Sequence, residues 1–157
     1  MTIKKVPQHG KFAVSLACIG EYKLVDIGLY VSASIYDYKI ITFSDDRDDL
    51  LFHDMIGNGI GMGPIGGPEE DDVIHYATYV DSEGDKIFER FKGIYTGPAS
   101  GNGIFVFLGG TGKYQDIQGK GEQWFKGLNY NYHDPENPNP SGPVQVKAKK
   151  TGEYRLS

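Results

Sequence analysis

The residues of this chain best suited to chemistry are a glutamate and a tyrosine in a predicted β-hairpin. Strands are predicted over residues 73–80 and 85–95. If the turn between them is Asp81-Ser-Glu-Gly84, Tyr76 lies opposite Glu89. We expect the more apolar face of the hairpin to point inward. That face consists of Ile74, Tyr76, Thr78, Val80, Ile87, Glu89 and Phe91.

Glu89 would then be a carboxylate in apolar surroundings. Burial disfavours its charged form, whereas a hydrogen bond from the Tyr76 hydroxyl favours that form. Such a carboxylate is a candidate acid, base or electrostatic guide, and Tyr76 is its candidate partner. A buried hydrogen bond that only satisfies two polar groups explains the pattern equally well. The predicted ligand contacts around this catalytic pair are Ile74, Thr78, Ile87, Phe91 and Trp124.

Two features of this prediction depend on strand geometry. A shift of one residue in the hairpin register would turn the inward face outward, so that His75 and Arg90 would replace Tyr76 and Glu89 there. Trp124 enters as a ring that could line a pocket, although a single tryptophan is also a common core residue.

The chain offers little support for metal or nucleophilic chemistry. No pair of its four histidines has the spacing of a zinc site, and its single cysteine, Cys18, cannot form an internal disulfide. A Gly-x-Ser-x-Gly nucleophile motif is absent. The sequence therefore predicts neither a metal site nor a cofactor. The histidines are His9, His53, His75 and His133.

Composition limits the partners and the location. The net charge is −5 and no basic run occurs, so we expect neither nucleic acid nor an anionic membrane as partner. No apolar run approaches the roughly 20 residues of a membrane-spanning helix. Residues 12–19 loosely mimic a secretion signal, but their period-two alternation favours a strand. A cytoplasmic location is therefore predicted, with a removed secretion signal as the alternative.

The remaining pattern predicts a single domain over residues 1–157 made of strands. Apolar residues alternate strictly over 25–35, which predicts one long strand. The predicted loops are an arm over 1–10, a glycine-rich and acidic segment over 57–72 and a proline-rich segment over 133–143. A last strand begins near Val144, and its expected inner residues are Val144, Val146, Ala148, Tyr154 and Leu156.

A glycine turn connects two of these strands. Residues 104–108 predict a buried strand, and Gly109-Gly-Thr-Gly-Lys-Tyr114 predicts a sharp turn after it. Gly119 and Gly121 lie on one face of the next strand and leave room there. Bent strands with a thinned face suit the wall of a small barrel. The predicted fold class is all-β, a single antiparallel barrel of eight to nine strands.

The same turn carries a family resemblance. Together with Gly119-Lys-Gly-Glu122 it resembles the turn and strand of allene-oxide-cyclase-like barrels, which are related in shape to dirigent proteins. The hairpin Tyr79-Val-Asp-Ser-Glu-Gly-Asp-Lys-Ile-Phe88 is similar to one upstream of that turn in the group, so the resemblance covers residues 73–126. It implies a calycin-like barrel and a homo-oligomer, either a dimer or a trimer. Members of the group include cyclases and proteins that steer radical coupling.

Three functions remain open at this point. The leading prediction is binding of a small, largely apolar molecule inside the barrel. The first alternative is a cyclase or isomerase that needs no cofactor and folds a flexible substrate, with Glu89 steering charge or a proton. The second alternative is a structural or assembly module, since a fold alone does not determine a function.

Overall fold

The chain forms a closed barrel in which every strand pairs antiparallel with its neighbours in sequence. The computed structural model describes residues 5–28, 31–44, 51–65, 73–97, 100–128 and 141–157. Within them eight strands close into one barrel, with the last strand paired to the first, which confirms the predicted fold class. No helix in these ranges is long and apolar enough to cross a membrane. The strands are β1 His9–Gly28, β2 Val31–Ser44, β3 Ile56–Ile65, β4 Val73–Val80, β5 Lys86–Gly97, β6 Ser100–Gly110, β7 Gln118–Gly127 and β8 Ser141–Arg155.

The two ends of the barrel differ in how they are filled. At the end where β1 begins and β8 ends, which we call the base, Phe12 packs against Phe52, Phe105 and Phe107 with ring centroids 5.2, 5.8 and 6.0 Å away. Phe52 lies in the turn after β2 and is fully buried. The opposite end, where β1 ends and β8 begins, is the mouth. The base therefore forms the closely packed part of the hydrophobic core.

The predicted long strand over residues 25–35 is instead a hairpin. β1 ends at Gly28, where φ is +89°, and Val25 then pairs with Ala33 of β2. Paired positions in this hairpin differ by an even number, so the alternation continues through the turn as it would along one strand. The apolar series faces outward, since Ile27 and Ile35 are exposed. Ser34, which belongs to the alternate, polar positions, is buried.

The predicted glycine-rich loop is wrong over residues 57–65, which lie in strand β3; residues 66–72 lie outside the described part of the chain. The inner face of β3 consists of Gly57, Gly59, Gly61 and Gly63. A Cβ at Gly61 would lie 2.6 Å from a ring carbon of Tyr36 and 2.8 Å from one of His75. Glycine is therefore required there because two large rings approach the backbone of β3.

The other two predicted loops fall partly outside the described residues. β1 begins at His9, so the end of the predicted arm over 1–10 belongs to a strand. β8 begins at Ser141, which likewise lies inside the predicted proline-rich segment. Residues 1–4 and 133–140 are not described.

The register predicted for the β4–β5 hairpin is wrong by one residue. Val80 pairs with Lys86 and Tyr76 with Arg90, so the turn spans residues 81–85. The Asp81 carboxylate accepts hydrogen bonds from the backbone N–H groups of Glu83 and Asp85, and this longer turn shifts β4 relative to β5. The face of β5 is as predicted, with Ile87, Glu89 and Phe91 buried, but the face of β4 is inverted. Its inward residues are Val73, His75, Ala77 and Tyr79, and its outward residues are Ile74, Tyr76, Thr78 and Val80.

Candidate functional site

A buried ion pair lies midway along the barrel. Lys150 Nζ donates to both carboxylate oxygens of Glu89 at 2.6 Å and to the Tyr79 hydroxyl oxygen at 2.7 Å. Lys150 is fully buried, and Glu89 is nearly so. Burial lowers the pKa of Lys150, and the adjacent carboxylate opposes that shift. Lys150 thus balances the charge of the Glu89 carboxylate and occupies both of its oxygens. Neither oxygen is free to act as an acid or base.

Aromatic rings enclose this ion pair on several sides. The Lys150 ammonium lies 5.3, 4.7 and 5.0 Å from the ring centroids of Phe52, Tyr79 and Phe105. Burial, followed by the negative charge of Glu89, raises the pKa of the Tyr79 hydroxyl well above its ordinary value. The tyrosine therefore stays protonated and acts as a neutral partner of the pair.

Lys150 was absent from the predicted inner face of β8, although the sequence contains the signal. It occupies the same parity as Ala148 and Tyr154, which were predicted inside and are buried. Lysine is seldom fully buried unless it has a partner. Its partner Glu89 lies 61 positions earlier in the chain, where no local pattern links the two residues.

A pocket lies above the ion pair, at the mouth of the barrel. It has a cavity volume of about 50 Å³, more than the roughly 10–15 Å³ that one water needs. Its lining is mainly apolar and aromatic, and the described residues that form it include no aspartate, glutamate, lysine or arginine. The lining residues are Cys18, Tyr22, Tyr36, Tyr38, His75, Tyr95, Gln123, Phe125, Val144, Val146 and Ala148.

Tyrosine hydroxyls bind both ring nitrogens of His75 in this pocket. The Tyr36 hydroxyl contacts Nε2, and the Tyr38 hydroxyl lies 3.1 Å from Nδ1. The glycine face of β3 leaves the space that these rings occupy. Burial, with a smaller contribution from the Lys150 charge, lowers the pKa of His75 to about 3. His75 is therefore neutral near pH 7, with one N–H and one lone pair in the ring.

Hydroxyl groups continue from this cluster to the backbone of β3. Ser34 Oγ lies 2.9 Å from the Tyr95 hydroxyl and 2.9 Å from the carbonyl oxygen of Gly63. Tyr95 is also hydrogen-bonded to Tyr36. On the opposite wall Gln123 is about nine-tenths buried, and its Oε1 has no hydrogen-bond partner among the described residues. An unpaired buried carboxamide oxygen is costly, so it identifies a place where a ligand could bind.

The structure separates the residues predicted as a site. Tyr76 and Trp124 are 50% and 44% exposed on the outer faces of β4 and β7, away from the pocket. Ile74 and Thr78 also point outward. Ile87, Glu89 and Phe91 lie inside but outside the pocket lining.

The pocket residues that the prediction omitted have one partial sequence signal. Ser34, Tyr36 and Tyr38 share one parity of β2 with the buried Ile40 and Thr42. That parity is less apolar than the opposite one, which holds Ile35 and Ile41. His75 was assigned to the outer face through the incorrect register.

An acidic cluster lies at the β4–β5 turn. One carboxylate oxygen of each of Asp81, Glu83 and Asp85 lies within 4.8 Å of the others. Lys113 Nζ lies 2.6 Å from Asp81 Oδ2 and 2.5 Å from Glu83 Oε2, so a lysine already supplies positive charge there. Through Lys113, the cluster connects the β4–β5 turn to the glycine turn after β6. The expected lack of a metal site stays a prediction.

Comparison with known proteins gives a match in structure alone. No family model matches the chain, and no curated protein matches it. The solved structure of the pterocarpan synthase dirigent protein GePTS1 is similar, with a TM-score of 0.51 over 97% of this chain and 88% of that chain. The fold is a dirigent-like barrel. At 11% sequence identity this similarity concerns the fold alone. The link to allene oxide cyclases stays a prediction.

We expect the ion pair inside this dirigent-like barrel to be strongly coupled. Glu89→Gln leaves the Lys150 ammonium without a counter-ion, and Lys150→Met leaves the carboxylate unpaired. Each change should lower the free energy of unfolding by about 3–5 kcal/mol, because an uncompensated buried charge is costly. The double variant should lose much less than the sum of the two. Urea unfolding at pH 7 gives the free energy of unfolding of the wild type, the two single variants and the double variant.

Arg90→Gln is the matched control for this cycle, because Arg90 is the next residue of β5 and faces outward. It should change the free energy of unfolding by less than about 0.5 kcal/mol. A loss below about 1 kcal/mol for Glu89→Gln, or strictly additive single changes, would contradict the buried pair.

The shifted pKa of His75 predicts a pH dependence of stability. The unfolded chain binds a proton at His75 below its ordinary pKa of 6.5, whereas the folded chain does so only near pH 3. The free energy of unfolding should therefore fall as pH decreases through this window, by about 1.4 kcal/mol per pH unit from this group. Denaturant unfolding between pH 6.5 and pH 4 should show a slope that is shallower by this amount in His75→Gln. Equal slopes in the two proteins would refute the assignment.

Proposed function

We propose that this protein binds a small, largely apolar molecule in the mouth pocket of its barrel. One observation carries the proposal: an aromatic and aliphatic pocket is lined by Gln123, whose buried carboxamide oxygen has no hydrogen-bond partner in the described part of the chain. Small-molecule sites typically combine an apolar lining with a few polar groups that fix orientation. The filled base and the buried ion pair close the pocket from below.

Two features of the interior favour binding over the catalytic alternative. That alternative gave Glu89 the role of steering charge or a proton. Both Glu89 oxygens accept from Lys150 Nζ, so the carboxylate would have to lose these contacts before it could act on a substrate. Glu89 is also absent from the pocket lining. A binding role requires no change in this arrangement.

The neutral fluorophore N-phenyl-1-naphthylamine tests the proposal, because its emission rises and shifts to shorter wavelength in an apolar site. The wild-type protein should enhance the emission saturably. Ala148→Leu adds volume at a buried lining position of β8 and should weaken binding at least about ten-fold, while changing stability by about 1–3 kcal/mol. A fluorescence titration gives both dissociation constants.

Lys147→Leu is the matched control for Ala148→Leu, because it adds the same side chain to the outer face of the same strand. It should bind the fluorophore as the wild type does. Equal weakening by both variants, or no saturable binding by the wild type, would end the proposal.

We also propose that a second copy of this chain covers the outer face of β2, β3 and β4. Because β3 turns glycines inward, its larger side chains face out, and they meet apolar neighbours at the pairs Ile35–Met62, Ile41–Ile56 and Ile60–Tyr76. These six side chains are 42–64% exposed, which is unusual for a contiguous patch on a monomer.

Charges on the same face support contact between identical copies. Asp37 and Lys39 are both exposed and lie two residues apart on β2. A two-fold axis near Tyr38 would bring Asp37 of each copy opposite Lys39 of the other. An isologous contact of this kind pairs these charges across the axis and covers the apolar side chains on either side of them.

Sedimentation velocity tests this association. The wild-type protein at tens of micromolar should sediment as a dimer or a larger assembly, and Ile60→Lys should convert it to monomer by placing a charge in the centre of the face. Leu108→Lys, at an exposed apolar residue of β6, should leave the assembly intact. A wild-type monomer at that concentration would refute the proposal.

A further inference from the structure

The hydroxyl groups along the pocket wall have a defined direction of donation. Ser34 Oγ donates its single proton to the Gly63 carbonyl oxygen, which can only accept. In its 2.9 Å contact with Ser34, the Tyr95 hydroxyl must therefore be the donor. Tyr95 has then used its proton, so its oxygen accepts from Tyr36. The backbone carbonyl thus fixes the orientation of three successive hydroxyls.

The same direction continues through the imidazole of His75. Since Tyr36 donates to Tyr95, it must accept at its contact with His75, and Nε2 carries the ring proton. A neutral imidazole has one N–H, so Nδ1 holds a lone pair. Nδ1 accordingly accepts the hydroxyl proton of Tyr38 at 3.1 Å. His75 is held in its Nε2–H tautomer.

Donation along the wall leaves the Tyr38 hydroxyl as an acceptor toward the pocket. The Tyr38 hydroxyl has given its proton to His75, so its oxygen can only accept from the pocket side. Gln123 Oε1, on the opposite wall, is buried and has no hydrogen-bond partner among the described residues. We propose that the ligand is an uncharged molecule with a hydroxyl or N–H group that donates to one of these two acceptors, Tyr38 Oη or Gln123 Oε1. This inference rests on the binding function proposed above.

The charges around the pocket exclude ionised ligands. Among the described residues the lining contains no charged side chain, and the nearest buried charges, Lys150 and Glu89, balance each other. A carboxylate ligand would meet two acceptor oxygens without a cation to balance it. An ammonium ligand would be buried without a carboxylate, because Glu89 already binds Lys150. A neutral donor group meets neither cost and satisfies one of the acceptors.

Three probes with the same apolar body test this inference: cyclohexylmethanol, its isomer cyclohexyl methyl ether, and cyclohexanecarboxylate. Each is titrated against bound N-phenyl-1-naphthylamine. The alcohol should displace the fluorophore with a dissociation constant at least about ten-fold lower than that of the ether, which lacks the donor. The carboxylate should be weaker than both. An ether that matches the alcohol, or a carboxylate that exceeds it, overturns the inference while the binding function stands.

If the fluorophore itself does not bind, the proposed function fails and this inference fails with it. Tyr38→Phe combined with Gln123→Leu should bring the alcohol and the ether to about equal affinity, because both acceptor oxygens are removed. Tyr76→Phe deletes a tyrosine hydroxyl from the outer face of β4 and should keep the ten-fold preference. Loss of the preference in Tyr76→Phe, or its retention in the double variant, would contradict the assignment of the acceptors.

Nuclear magnetic resonance of the imidazole nitrogens tests the direction of donation in the unmodified protein. A long-range ¹H–¹⁵N correlation spectrum at pH 7 should show His75 with a protonated Nε2 and an unprotonated Nδ1. A protonated Nδ1 would mean that Tyr38 accepts from His75 and keeps its own proton for the ligand, which would reverse the inferred ligand chemistry. This measurement needs no variant and no ligand.

Discussion

Interior volume is the constraint on which this structure depends. An eight-stranded barrel encloses space for its own side chains or for one small ligand. Here the space is divided unequally along the axis: phenyl rings fill the base, while the mouth holds the rings of Tyr36, Tyr38 and His75. Those rings fit because β3 presents glycines to the interior at positions 57, 59, 61 and 63. Because side chains alternate along a strand, the larger side chains of β3 then point outward.

The buried ion pair lies at the boundary between these two halves. Lys150 and Glu89 are held against each other by three hydrogen bonds that involve Tyr79 as well. Their charges cancel, so the pocket above them contains hydrogen-bonding groups without a net charge. The polar groups of the mouth are consequently oriented by one another and by the Gly63 carbonyl oxygen. In our proposal this direction of donation determines which ligands the pocket accepts.

The sequence predicted the fold class because alternation and turn signals survive local errors. Strand faces were less secure: the face of β5 was found, but β4 was inverted because the carboxylate of Asp81 organises a longer turn than expected. β3 was missed because glycine at every second position carries no hydrophobic signal. The buried roles of Lys150 and His75 were not predicted, because their partners lie on strands distant in sequence and meet them only when the barrel closes.

The central claim is that a ligand occupies the mouth of the barrel and not its apolar outer face. Titration of ¹⁵N-labelled protein with N-phenyl-1-naphthylamine, followed by two-dimensional nuclear magnetic resonance, tests it directly. The account predicts that the largest amide shifts occur around Tyr36, His75, Gln123 and Ala148, which surround the pocket. Shifts concentrated at outward residues of β3, such as Ile60 and Met62, with the pocket residues unchanged, would contradict it.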